Sequence, residues 1–178
     1  MGKIKNPKKV KLFIGAIFSQ ESKLILEDLK EKLVKKFGPI DLESKIIPFD
    51  CTTYYEKETG PHLQKIFFSF KRLIDPERLA EIKIWTNQLE AKLAQRYKTF
   101  PRPVNLDPGY LTLANLVLAT TKGQAHRIYL RKGIYAEVTL LYQKRKFVPL
   151  PWTYPDFRQD SYHQFFLEVR KIYKKQLT

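Results

Sequence analysis

Cysteine is almost absent from this chain. One residue, Cys51, stands among 178, so no internal disulfide can form and a cysteine-rich zinc site is excluded. A reducing, cytoplasmic setting is the plain expectation. Glycine is also scarce, at seven residues. No pair of them has the spacing of the G-x-x-x-x-G-K-[ST] loop that cradles phosphates, so a nucleotide would have to be held by another device. The three histidines, His62, His126 and His163, lie far apart and form no H-x-x-x-H or H-E-x-x-H pair, so no metal is expected. No apolar run is long enough to span a bilayer, and no membrane association is expected. The opening MGKIKNPKKVKLFIGAIFS is basic and then apolar like a signal peptide. Its apolar part is short and has no small-residue cleavage site, so it reads as a first strand.

Acidic residues are few: 18 against 33 basic ones, for a net charge of +15. Such an excess favours polyanions, namely RNA, DNA, nucleotides or acidic lipid. A lysine-rich surface of the kind found in thermophile proteins accounts for it as well. Charge alone carries no geometry, and both readings stand.

The apolar share of 43% and aromatic share of 13% suit a folded domain with a real core. Residues 1–9 form a basic arm, and 10–178 read as a single α+β domain. Residues 12–18 are a continuous apolar run and predict a buried strand. Ser19 is placed to cap a first helix, with Glu21 in its first turn. Leu26, Leu29, Leu33 and Phe37 recur at helical spacing, and Gly38-Pro39 ends that helix. Strands are expected at 43–49 and 64–70, with a polar loop at 50–61 between them. Asp75-Pro76-Glu77 opens a second helix, with Asp75 as cap and Ile82, Trp85, Leu89 and Leu93 on one face. A strand at 102–106 would complete a β-α-β-β-α-β order. This is the pattern of a ferredoxin-like sandwich covering 10–106.

The remainder, 107–178, extends it with a hairpin or meander and a C-terminal helix. Asp107-Pro108-Gly109 reads as a tight turn. Residues 111–119 read as a short buried helix ending near Lys122. Residues 127–131 and 134–142 read as a β-hairpin turning at Lys132-Gly133, with Phe147 and Val148 returning after a second polar turn. Asp160 or Ser161 caps a last amphipathic helix with Tyr162, Phe166, Val169 and Tyr173 on one stripe.

Five blocks, in order, carry a resemblance: PFDCTTYYEKETGP, RLIDPERLAEIKIWTNQLE, VNLDPGYLTLANLVLATTK, HRIYLRKGIYAEVTLLY and PLPWTYPDFR. Over nearly its whole length the chain resembles a bacterial family catalogued as domain of unknown function 4416. The family has no established activity, so the resemblance transfers no catalytic residue. Some members are labelled GTP-binding, which the missing phosphate loop does not support.

Residues 104–137 hold the densest set of ligand-binding groups. Thr120, Thr121 and Lys122 suit phosphate oxygens, Arg127 can take them bidentately, and Gly123 lets backbone approach a ligand. Lys122 as a helix cap and Arg127 on a solvated strand face are the bland alternatives. His126 can serve as a general acid or base, or simply bond a carbonyl. Asp107 could bind a ribose hydroxyl or a metal, or pair with Arg127. In the loop at 50–61, Tyr54 and Tyr55 can stack on a base or sugar, or seal the core edge. Asp50, Glu56 and Glu58 could offer oxygen ligands to a hard cation, but their spacing matches no EF-hand.

The site expected from the sequence therefore comprises Asp107, Tyr110, Thr121, Lys122, His126, Arg127 and Tyr129, with Tyr54 and Tyr55 as a lid or wall. His126 and Asp107 are the catalytic candidates. The expected ligand is a phosphorylated or otherwise anionic small molecule, a nucleotide foremost. The alternatives are an RNA-binding accessory protein, using Lys and Arg over a sheet face that exposes tyrosines, and a scaffold without a ligand.

Overall fold

The computed structural model describes residues 2–178, so Met1 of the basic arm lies outside the described residues. Residues 2–9 are exposed and carry no regular structure. Nine antiparallel strands then form one sheet. The first, β1 (Lys11–Ser19), is buried at all nine positions. Ser19 caps as expected, its hydroxyl accepting from the Glu21 N–H at 3.3 Å, but it caps a single 3-10 turn ahead of the helix α1 (Ile25–Phe37). Gly38 ends α1 with φ +89° and its N–H on the Val34 carbonyl, a conformation glycine adopts at little cost.

The strand expected at 43–49 is two short pieces, β2 (Ile40–Glu43) and β3 (Ile47–Pro48), both paired to β4 (Leu63–Phe70). A one-turn helix, α2 (Glu56–Thr59), sits inside the loop before β4. The long helix α3 (Leu79–Tyr97) comes after a Pro76–Arg78 turn, and the Asp75 side chain makes no capping bond there.

Next comes β5 (Val104–Leu111). Asp107-Pro108-Gly109 is the middle of this strand, not a turn. The tight turn falls at Thr112, whose hydroxyl accepts from the Ala114 and Asn115 N–H groups. It leads into β6 (Asn115–Thr120), where the sequence pattern predicts a helix. The cause is burial on two sides. Leu116 and Leu118 face one core cluster while Val117 and Ala119 face another. A strand covered on both faces loses its alternation and reads like a buried helix.

The hairpin β7 (Ile128–Arg131) and β8 (Ile134–Gln143) forms as expected, and β9 (Lys146–Pro149) returns along β8. The last helix, α4 (Asp160–Gln176), starts at Asp160 with Gln159 in the capping position.

The α+β class is therefore observed. The strands run β2-β4-β1-β5-β6-β8-β7, and the sheet continues past β5 rather than stopping there. The division expected at 106/107 falls inside β5. Helices α1 and α3 cover one face, packing Leu29, Leu33 and Leu89 on Leu12, Ile14, Phe68 and Leu106. Helix α4 covers the other, packing Phe165, Phe166 and Val169 on Phe13, Phe67 and Leu140. Helices on both sides explain why β1 reads as one unbroken apolar run. The central strands are therefore covered on both faces. Among the described residues no helix is long and apolar enough to cross a membrane.

Candidate functional site

The sheet splits at one place. Strands β5 and β6 pair only through Gly109–Leu118, Tyr110–Val117 and Leu111–Leu116. Below Gly109 the β5 backbone turns to side chains from α3. The Leu106 N–H donates to Glu90 Oε1 at 2.7 Å, and its carbonyl accepts from Lys83 Nζ at 2.7 Å. Leu106 thus points both backbone groups away from β1. Pro108, two residues on, has the same sense, and it has no N–H to offer β6. The proline ends the ladder, and a buried Lys and a buried Glu from one face of α3 replace the missing strand.

A cavity of about 170 Å³ opens at this gap, on the α4 side of the sheet. Its edge holds a chain of polar contacts. Arg102 donates from Nε to Glu90 Oε2 at 2.9 Å and from Nη2 to Asn105, Asn105 donates to Asp107 Oδ2 at 2.8 Å, and Lys83 Nζ lies 3.6 Å from Asp107 Oδ1. Burial works against the Arg102 charge, but Glu90 and Asp107 outweigh it and raise its pKa.

The floor is an ion pair between Lys65 Nζ and Asp156 Oδ2 at 2.6 Å, enclosed by Phe49, Phe67, Phe157 and Tyr162. Register places it there, since Lys65, Ile17 and Asn105 form one row across β4, β1 and β5. The far wall is Glu137 on β8, 1% exposed. Its Oε2 takes Arg127 Nε at 2.8 Å and His126 Nε2 at 3.0 Å, and its Oε1 accepts from Thr139 at 3.2 Å. At the mouth, Lys122 Nζ lies 4.5 Å from the centre of the Tyr54 ring.

Of the residues expected from sequence, Asp107, Thr121, Lys122, Tyr54 and Tyr55 line this one cavity. His126 and Arg127 stand behind its wall, joined to it through Glu137. The Asp107–Arg127 pair does not form. Asp107 takes Asn105 and Lys83, while Arg127 takes Glu137, the Lys122 carbonyl and the Tyr154 hydroxyl. The His126 ring stacks on Trp152, with centroids 5.2 Å apart. Tyr110 points to the helical side of β5. Tyr129 is 58% exposed on the edge strand β7. No helix ends at Lys122, so no helix dipole repels an anion there. Gly123 does not have a positive φ.

Sequence reasoning missed Lys65, Lys83, Glu90, Arg102, Glu137 and Asp156. Two carried a signal, being single charges inside otherwise apolar stretches: Lys65 in LQKIFFSF and Glu137 in IYAEVTLL. Lys83 and Glu90 lie two turns apart on the α3 face that also holds Leu79, Ile82 and Leu89.

Burial, and then the nearby Asp156, push the Cys51 thiol up, so it is not an activated nucleophile. Burial likewise raises the Tyr55 phenol, and it raises Tyr154 with help from Glu137. Both hydroxyls therefore stay protonated and can donate. Among the described residues no group of three His, Cys, Asp or Glu is placed to hold a metal ion.

Glu90 is also raised, by burial first, although Lys83, Arg102 and the Leu106 N–H pull the other way. Linkage gives the sign. A carboxyl raised in the folded state adds stability that is full below its ordinary value near 4.5 and is lost as pH climbs through the raised value. The stability difference between the native chain and Glu90→Gln should therefore shift against the native chain as pH rises from about 4 to about 7. Urea unfolding at the two ends checks this, and a difference independent of pH would refute it.

No curated protein and no solved structure matches the chain. A family model does, over residues 8–173, described as Domain of unknown function (DUF4416). With nearly all of its length matched, the chain belongs to that family.

Proposed function

We propose that the cavity binds a small anionic molecule, a phosphorylated one foremost, without a phosphate loop. The observation that carries this reading is Lys122 at the mouth. Its ammonium has no carboxylate within 4 Å among the described residues and rests on the Tyr54 ring instead. The lining holds four cations, Lys65, Lys83, Arg102 and Lys122, against three carboxylates, Asp107, Glu137 and Asp156. The interior cations are engaged, which leaves Lys122 to meet an anionic group together with the Thr120 and Thr121 hydroxyls. Deeper in, Asp107 remains 25% exposed and can accept from hydroxyl or amino groups of the ligand. Tyr54 offers a ring face for stacking.

Size narrows the class. About 170 Å³ is small beside the ~300–1,000 Å³ usual for small-molecule sites. A sugar phosphate fits this scale. A nucleotide would be enclosed by one moiety, with the rest lying across Tyr54. Of the two catalytic candidates, Asp107 lines the cavity and His126 stands outside it.

A thermal-shift screen of inorganic phosphate, sugar phosphates and nucleoside monophosphates tests the reading. A ligand at about 100 times its Kd adds about 2.7 kcal/mol. For a chain of this length that is an upward shift of roughly 5–10 °C. Lys122→Gln should remove most of the shift while leaving the unliganded melting temperature unchanged. A flat response to every phosphorylated compound would end the proposal.

A further inference from the structure

A second feature lies on the opposite side of the molecule. Between α1 and α3 runs an open groove of about 560 Å³, lined by Lys32, Lys35, Lys36, Trp85, Gln88, Leu89 and Lys92. Four of its seven lining residues are lysines and none is acidic. Among the described residues only Lys32 of these four has a carboxylate partner, Asp28 at 3.0 Å. Lys35 and Lys36 lie in the last turn of α1, where a positive charge also suits the helix dipole. Lys92 lies within α3, and the dipole gives no reason for it.

Trp85 sits among these charges, half-buried, with its ring edge-on to Phe37 at 5.0 Å and the Lys36 ammonium 5.6 Å from its centre. A large aromatic recessed in a cationic groove is the combination that binds single strands. The lysines track phosphates, and the ring offers a stacking face to an unpaired base. A duplex keeps its bases stacked inside and could not use that ring. A bilayer surface calls for apolar side chains that project, and Trp85 is set back.

We propose that this groove is a binding surface for single-stranded nucleic acid, separate from the cavity behind β5 and β6. The proposal gives the net charge of +15 a local purpose. It places contact on the helical side of the fold, whereas the sequence pattern points to a sheet face.

The test uses the full chain carrying Trp152→Phe, so that Trp85 is its only tryptophan, and a 12-nucleotide oligouridylate. Four neutralised phosphates imply a slope of log K against log salt of about −3, or roughly a 50-fold loss between about 50 and 200 mM salt. Stacking should quench Trp85 fluorescence on binding. Lys36→Gln with Lys92→Gln should weaken binding at low salt and reduce the slope by about 1.4. These two side chains are not part of the core, so folding should persist. Lys122→Gln should leave oligouridylate binding unaltered, which keeps this result apart from that of the cavity. Binding without a change in Trp85 emission would overturn the proposal. So would a slope that the double variant leaves intact, or equal quenching by heparin or by phosphatidylserine vesicles.

Discussion

Lys65→Met should lower the free energy of unfolding by about 3–5 kcal/mol. The size of the effect comes from what is left behind. Asp156 has a side chain only 9% exposed, and Lys65 is its one ionic partner among the described residues, at 2.6 Å. Without that ammonium, a carboxylate remains beside Phe157 and Tyr162 with no opposing charge. The four rings around the ammonium lose their cation at the same time.

Removing both charges should behave differently. A buried ion pair replaced by apolar side chains of similar volume is often neutral or even stabilising. Lys65→Met combined with Asp156→Leu should therefore recover most of the loss. Urea unfolding of the two single variants and the double variant closes the cycle. A Lys65→Met variant within about 0.5 kcal/mol of the native chain would show that the pair is solvated, contrary to its burial. The double variant also informs the cavity. If it is stable but no longer shifts with a phosphorylated ligand, the pair is kept for binding rather than for folding.

Gly109→Val should cost about 3 kcal/mol, although strand propensity alone argues for a gain of up to about 1 kcal/mol. A Cβ at Gly109 would stand 2.5 Å from the Val117 carbonyl oxygen and 2.5 Å from the Phe13 ring. The first of these is backbone of the facing strand and cannot turn aside. Gly109 is also one of only three β5 residues paired with β6. Pushing β6 away at that point separates the sheet into two parts. Gly123→Ala is the control, with its nearest neighbour, the end of the Tyr135 side chain, 3.2 Å away and able to move. It should lie within about 0.5 kcal/mol of the native chain. Thermal unfolding of the two variants side by side separates close packing from glycine flexibility. Equal stabilities would defeat the account.

Gly109 also shows why part of the fold could be read from the sequence and part could not. Asp-Pro-Gly has the composition of a turn, and local composition is all that a turn signal contains. In the structure the proline is used for its missing N–H and the glycine for its missing side chain, and both needs depend on groups far away in sequence, Lys83 and Glu90 of α3 and the Phe13 ring of β1. The same limit explains 111–119, where apolar residues on both faces hid a hairpin. By contrast, the hairpin at Lys132-Gly133, the end of α1 at Gly38 and the stripe of α4 were legible, because each depends on neighbours within a few residues.

The site divides along the same line. Tyr54, Tyr55, Asp107, Thr121 and Lys122 stood out as polar groups in polar or mixed stretches. The floor and wall, Lys65, Asp156 and Glu137, lie in or beside stretches that look like core, and only their cost in burial marks them. A charge within an apolar strand is the sequence signal with most to offer here, because a fold does not bury one without a partner.

The order in which the sheet's central strand is enclosed bears on how the molecule is made. Strand β1 leaves the ribosome well before α4, which shields one of its faces and is separated from it by most of the domain. The Tyr173 hydroxyl donates to the Lys9 carbonyl at 2.7 Å, so the two segments meet only once α4 has been made. Until then Phe13 and Phe67 lack their cover, and the nascent chain carries an oily surface that a chaperone would recognise. Pairing so distant in sequence also makes folding slow for the size of the domain.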